Sequence, residues 1–435
     1  MTIREVIVRW AGSALRAKRV LLLSILMCAV GISVVAIERA NRRFEGPLRG
    51  ADFVQFYTLG QLAYTHQVSA MYDMPALHNA QVALVPDSKA FLYPPVYPPQ
   101  VPLLFVPMTR WSYETALLVW IALTIAGYSL TVWSAWRRVS AVLPDRSVML
   151  VAAVAFPPFW MLVLYGQITL LILAAFWAGW MALEHRRHFL AGAAFGLLAI
   201  KPQFGIPLAV VVLARRDWWM LSGALASVGL QSAAVWMFLG PDVFRSFAST
   251  LAFTLNHADL LESKPIYSHS LRAVTRLLPT WIGIPLWGVA AGTVLWYTVR
   301  VWRSDAPTSV RVGTMILASV LVNPHVIVYD ATVLAMPLIW FAAYMRDDSR
   351  RSFAPGFWKT LCWLFAAFFV PTASMIGLQV SVPLMVWLLV LIKRAALTPA
   401  FELAAPYNVR AASGVRVSQD SGLVKTPSKA VANVG

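Results

Sequence analysis

Apolar residues in this chain come in unbroken blocks of about twenty rather than at every third and fourth position. Short polar breaks, many of them basic, separate the blocks. A bilayer crossing needs about 20 apolar residues, so the pattern predicts membrane-spanning helices. The first covers residues 20–37, and a long non-spanning stretch, 38–111, follows it. Further spans are expected at 113–136, 149–164, 168–183, 189–200, 204–213, 218–239, 281–301, 310–322, 326–344, 357–370 and 376–392. The expected fold is an all-α polytopic bundle of about twelve transmembrane helices with a long first external loop. Residues 1–394 read as one transmembrane domain and 395–435 as a disordered tail without an apolar block.

Two places break this rhythm. Tyr93-Pro94-Pro95-Val96-Tyr97-Pro98-Pro99 and the apolar run after it are short and rich in proline, which removes backbone donors and breaks helices. Counting them as a span would turn every later basic loop outward, so they are expected to form a re-entrant or interfacial piece. Segments 189–200 and 204–213 are too short for a core of about 30 Å, and Lys201-Pro202-Gln203 lies between them. Broken backbone at membrane depth is tolerated where it is buried in protein or lines a cavity, so this pair is expected beside an outward-facing cavity.

Composition and charge agree. Of 435 residues 59% are hydrophobic and 13% charged, against about 25% charged in soluble domains, and mean hydropathy is +0.66. A soluble enzyme, a disulfide scaffold, a coiled coil and a nucleic-acid-binding module are excluded. The net charge of +17 sits at block ends: Arg4 to Arg19 before the first span, then Arg137 and Arg138, Arg186 and Arg187, Arg215 and Arg216, Arg350 and Arg351, Lys393 and Arg394. That placement is positive-inside topology. It sets both termini and the loops 184–188, 215–217, 303–311 and 346–359 in the cytoplasm and the long first loop on the non-cytoplasmic side. The stretch Arg4 to Arg19 reads as an orienting charge, with an amphipathic surface helix as the alternative. Cys28 and Cys362 lie inside apolar blocks, so no disulfide or CxxC site is expected. Most of the 19 Trp residues, including Trp111, Trp218 and Trp281 at span ends, read as an interfacial belt.

The polar minority falls on the external side. Asp52 stands among apolar and aromatic neighbours, where partial desolvation would suit a carboxylate to base chemistry. A solvated loop aspartate or an N-cap for a helix starting at Phe53 is the plainer alternative. Lys201 interrupts two apolar blocks, and a lysine at membrane depth needs an anionic partner or water. A lipid-linked phosphate and an internal carboxylate are both candidates, and snorkelling to the interface is the third. Gln167 sits at the outer end of its helix pair. The loop after Leu239 adds Asn256, His257, Glu262, Lys264, Tyr267, His269 and Arg272. Asn323-Pro324-His325 with Tyr329 and Asp330 places polar groups at three- and four-residue spacing near a helix start. No metal-ligand cluster, P-loop, GxSxG or dinucleotide fingerprint is present, so no metal or cofactor is expected.

Taken together, the external Asp52, Phe91-Leu92-Tyr93-Pro94-Pro95, Gly166-Gln167, Lys201-Pro202 and Asn323-Pro324-His325 with Tyr329-Asp330 resemble glycosyltransferase family 87. The resemblance spans residues 52–337, about two-thirds of the chain. It implies a GT-C fold and places the chain beside polyprenol-phosphate-mannose-dependent alpha-mannosyltransferases. The implied activity moves one sugar, mannose or a pentose, from a polyprenyl-phosphate sugar to a glycolipid or glycan acceptor on the periplasmic face. By the family pattern Asp52 is the general base, and His325 and Lys201 lie near the donor phosphate or acceptor. The candidate set is then Asp52 and His325 as catalytic residues, with Lys201, Gln167, Tyr93, His257, Arg272, Tyr329 and Asp330 binding substrate.

Physical logic agrees with one carboxylate. A glycosidase needs two because its leaving alkoxide must be protonated. A lipid phosphate leaves as a stable anion, so one base and a cationic cradle suffice, and direct displacement with inversion is expected. The rival reading is a transporter or lipid flippase, which would favour midplane charges and repeated halves. The chemistry-bearing residues instead gather at one face, and no internal repeat is evident. A bilayer-embedded acyl- or phosphotransferase is the second rival. It would carry His/Asp or paired-aspartate motifs that the chain lacks in their usual form.

Overall fold

The computed structural model describes residues 52–90, 93–257, 268–347, 350, 352–369 and 372–398. The expected first span, Arg4 to Arg19, Cys28, Glu262, Lys264 and Tyr267 lie outside them. The chain divides into Met1–Leu397 and Thr398–Gly435. Nearly all of the second unit, and with it the expected tail, is likewise outside the described residues.

Every regular element among the described residues is helical, and the one β-bridge joins Ser268 to Ile327 antiparallel. The described chain opens with α1 (Phe53–Tyr64), α2 (Val68–Met71) and α3 (Met74–Leu84). The Asp73 carboxylate caps α3, accepting from the Ala76 N–H at 2.8 Å. Helix α1 is apolar on nearly all sides and therefore buried. Phe105 of α4 (Gln100–Phe105) packs so closely on it that a Cβ at Gly60 would come within 2.8 Å of the Phe105 backbone. Six helical residues reach only about 9 Å. That is too short for a bilayer core of about 30 Å, and the segment packs back onto α1.

The membrane body follows: α5 (Tyr113–Val139), α6 (Arg146–Val154), α7 (Pro157–Tyr165), α8 (Thr169–Glu184), α9 (His188–Gly196), α10 (Ile206–Arg215), α11 (Trp218–Leu239), α12 (Asp242–Asn256), α13 (Leu271–Thr275), α14 (Thr280–Trp302), α15 (Thr308–Val322), α16 (Ala335–Tyr344), α17 (Ala354–Phe369), α18 (Thr372–Ile376) and α19 (Ser381–Leu397). Helix α15 is buried on every side from Val312 to Val322, and so is the run from Val328 through α16. These two pieces form the centre of the bundle. The closest crossing is α9 on α11, where a Cβ at Gly192 would lie 1.9 Å from the Met220 carbonyl oxygen and one at Gly223 2.0 Å from that of Phe189. Small residues at such positions let membrane helices approach backbone to backbone.

The expected count of about twelve spans is not confirmed. Among the described residues three helices are long and apolar enough to cross, Tyr113–Val139, Trp218–Leu239 and Thr280–Trp302. The expected single span 149–164 is instead two helices, Arg146–Val154 and Pro157–Tyr165, bent by 47°, and counts as a fourth if taken together. The cause is Pro157-Pro158, which removes two backbone donors and holds Phe156 extended at φ −74°, ψ 107°. Five shorter apolar helices also belong to the body: Thr169–Glu184, His188–Ile200, Pro202–Arg215, Thr308–Val322 and Val328–Tyr344. The expected pair around Lys201 has this short, broken form, with 3₁₀ turns Leu197–Ile200 and Pro202–Gly205 on either side of the lysine. The last helix runs to Leu397, a little beyond the expected boundary at 394. Trp218 and Trp281 are exposed in the first turns of α11 and α14.

Candidate active site

Asp52 occupies the N-cap position of α1, yet its carboxylate makes no cap bond there. Its N–H donates to the Tyr165 carbonyl at 2.9 Å, and its Oδ2 accepts a hydrogen bond from Gln167 Nε2 at 2.6 Å. The local fold explains the meeting. Helix α7 ends at Gly166 in the left-handed conformation, φ 64°, which glycine enters at low cost. Trp120 Nε1 anchors the Gly166 carbonyl at 3.0 Å, and the reversal turns the next residue, Gln167, toward Asp52.

Gln167 is buried and fully engaged. Its Nε2 also donates to the Tyr329 hydroxyl at 3.2 Å. Its Oε1 accepts from the Tyr97 hydroxyl and from the Ile168 N–H, both at 3.3 Å. This set of partners fixes which end of the amide faces the carboxylate. Burial raises the Tyr97 phenol above its ordinary value, so it stays a neutral donor.

The second half of the network surrounds Lys201. Its Nζ donates to Asp330 Oδ1 at 2.7 Å, both side chains being about 5% exposed. Thr169 Oγ1 donates to the same oxygen at 2.6 Å. The rings of Tyr329 and Tyr97 face the ammonium at 5.4 and 5.9 Å, within cation–π range. Of the partners open to Lys201 on sequence grounds, the structure supplies the internal carboxylate. Tyr329 and Asp330 stand on a 3₁₀ helix, Val328–Leu334, so adjacent side chains reach different partners: Tyr329 meets Gln167 and Asp330 meets Lys201.

A third group lies where the chain after α12 meets the chain after α15. The Ser268–Ile327 bridge and the His269 N–H to Val326 carbonyl bond, 2.8 Å, lay residues 268–270 alongside 325–327. Near this junction Ser270 Oγ, Arg272 Nη1 and Asn323 Nδ2 are buried without a hydrogen-bond partner. Asn323 Oδ1 accepts from the His325 N–H at 3.0 Å, which leaves its Nδ2 as the donor. Buried polar groups almost always find partners, so orphaned donors on adjoining segments suit an anion.

The structure thus brings together Asp52, Gln167, Tyr329, Lys201 and Asp330, and sets Arg272 close to the His325 segment. Tyr93 is half-buried against the core beside Pro94, whose carbonyl accepts from Gln55 Nε2 in the first turn of α1 at 2.9 Å. His257 ends α12 exposed, its ring stacked on Phe253 at 4.2 Å and its Nδ1 2.9 Å from the Phe253 carbonyl oxygen. It makes no contact with the Asp52 network among the described residues. Sequence reasoning passed over Tyr97, Thr169 and Ser270. The available signals were position alone: Tyr97 lies in the proline-rich run, Thr169 two residues after Gln167, Ser270 two before Arg272.

Chemically, the network offers one carboxylate held by a neutral amide, while Asp330, its other acid, is neutralised by Lys201. A glycosidase pairs a base with a second carboxyl group as acid, and in this network the second carboxyl group is held in the Lys201 ion pair. The large apolar cleft of about 1280 Å³ along α5 and the bent pair α6–α7, lined by Trp133, Trp136, Phe159 and Trp160, suits lipid chains rather than chemistry.

The family model for Glycosyltransferase family 87 matches residues 96–324, just over half of the chain. Gln167, Lys201, His257, Arg272 and Asn323 fall within the match, whereas Asp52 and the run from His325 to Asp330 flank it. Among curated proteins and solved structures, none matches the chain. The helical membrane body and the family match agree, and nothing in either favours the transporter reading. The chain belongs to glycosyltransferase family 87 and is a membrane glycosyltransferase.

Proposed function

We propose that this glycosyltransferase moves one sugar, mannose in the first instance, from a polyprenyl-phosphate donor to a glycolipid or glycan acceptor on the periplasmic face of the inner membrane. Asp52 is the general base. It takes the proton of the acceptor hydroxyl as that oxygen bonds to the anomeric carbon, and the bond from that carbon to the phosphate oxygen breaks with its electron pair leaving on the lipid phosphate. One displacement of this kind inverts the anomeric centre. The observation that carries the reading is the 2.6 Å bond from Gln167 to Asp52, which aims a carboxylate that does no capping work.

Arg272 and His325, with Ser270 and Asn323, hold the departing phosphate. Donors already aimed at developing negative charge are the strongest contribution an enzyme of this class can make. Lys201 acts at one remove: through Asp330 and Tyr329 it fixes the frame in which Gln167 positions the base. Tyr93 lines the acceptor side next to α1. His257 has no part in this mechanism.

The test is transfer by the purified protein from a panel of polyprenyl-phosphate sugars, mannosyl and pentofuranosyl among them, to membrane glycolipid and glycan acceptors. Product with an inverted linkage is expected from the mannosyl donor. Absence of transfer from every donor overturns the reading.

A further inference from the structure

Helices α8, α10 and α15 each have one end near the Asp52 network and one remote from it. Thr169, the turn after Lys201 and Val322 mark the near ends. Glu184, Arg215 and Thr308 mark the remote ones, about 20 Å away for α8 and α15 at 1.5 Å per residue. At the remote end these helices and the start of α9 enclose a cavity of about 440 Å³. Its chemistry comes from Arg186, Arg215 and Arg311, with Glu184, His188 and Asp217.

The two carboxylates are already engaged. Asp217 caps α11, accepting from the Met220 N–H at 3.1 Å, and pairs with His188 Nδ1. Glu184 accepts from Trp180 Nε1 at 3.2 Å. Among the described residues none of the three guanidiniums makes an ion pair. Arg311 donates from Nη2 to Thr308 Oγ1 at 3.2 Å, while its Nε is buried and has no partner.

Orientation of the chain in the membrane accounts for arginines at this end of the helices. It does not account for one of them turned into a cavity beside another with a buried N–H unmatched. A guanidinium with only a topological role extends its head into water, and a buried donor without an acceptor is destabilising. The guanidinium fork matches the oxygens of a phosphate group. We infer that the Arg186–Arg215–Arg311 cavity binds a phosphate group, separate from the donor phosphate at the Asp52 end. An anionic phospholipid headgroup and a free phosphate anion present the same chemistry to it.

Full-length protein in detergent, titrated separately with inorganic phosphate, short-chain phosphatidylglycerol and phosphate-free short-chain diacylglycerol, distinguishes the sources by thermal shift and by native mass spectrometry of retained lipid. Stabilisation by phosphatidylglycerol but not by inorganic phosphate assigns a lipid headgroup, and stabilisation by both assigns the phosphate group alone. In either case Arg311→Gln lowers the apparent affinity by about 10- to 100-fold, the loss of a charge-assisted contact. Arg215→Gln weakens it similarly should Arg311→Gln fold poorly, and Arg187→Gln, outside the cavity, leaves it unchanged. No stabilisation by either anion, stabilisation by the phosphate-free diacylglycerol to the same degree, or equal affinity in the Arg215→Gln and Arg187→Gln proteins overturns the inference.

Discussion

Gln167 donates a hydrogen bond to Asp52 at 2.6 Å across 115 positions of sequence. The amide carries no charge, so it orients the carboxylate without neutralising the negative charge a base needs. Gln167→Leu keeps the volume and removes the donor. Loss of a hydrogen bond to a charged group predicts a fall in kcat of about 10- to 100-fold with little change in donor KM. Steady-state kinetics check this, and an unchanged kcat would remove Gln167 from the mechanism.

Lys201 and Asp330 form a buried pair at 2.7 Å. Removing one member leaves an uncompensated buried charge, which costs about 3–5 kcal/mol, whereas replacing both is far milder. Lys201→Met and Asp330→Leu are each expected to melt well below the wild type, and the double variant to recover much of the loss. Thermal unfolding of all four proteins in one detergent gives the ordering. A double variant as unstable as the sum of the singles contradicts the pairing.

Gly192 and Gly223 allow α9 and α11 to touch along their backbones. Gly192→Leu forces the helices apart and is expected to reduce the yield of folded protein sharply. Gly205→Ala, with open space where its Cβ would point, leaves the yield unchanged. Size-exclusion profiles of the two variants measure the contrast.

His269 is buried in the segment before α13, with Nδ1 2.7 Å from Ser381 Oγ and its ring beside Phe368. Burial pushes its pKa down to about 3. The folded chain therefore keeps this ring neutral where the unfolded chain, titrating at about 6.5, takes up a proton. Stability from this group is complete above about pH 6.5 and falls by about 1.4 kcal/mol per pH unit as pH drops from there toward 3. His269→Gln is expected to show a shallower decline in melting temperature between pH 7 and pH 5. Equal declines would contradict a buried neutral ring.

Much of the scaffold was legible as apolar length. The blocks at 113–136, 218–239 and 281–301 are the three long helices, with ends displaced by a few residues at most. The bend at Pro157-Pro158 was written in the sequence too, but continuous hydropathy hid it, because apolar composition says nothing about backbone donors. The need of Lys201 for an anion was legible from its position between apolar blocks. The identity of that anion was not, since Asp330 lies 129 positions away and only packing brings it near. Tyr97 and Thr169 were invisible for the same reason: their hydroxyls matter through what they meet in space, and no local spacing encodes that.

The proposed mechanism turns on Asp52 as the base. Asp52→Asn keeps the shape and an oxygen able to accept from Gln167, but cannot take the acceptor proton. The deciding measurement is the single-turnover rate of sugar transfer from polyprenyl-phosphate mannose by the purified variant beside the wild type. A loss of about 10²- to 10⁴-fold is expected, with melting temperature and donor binding retained. Transfer at the wild-type rate would contradict it.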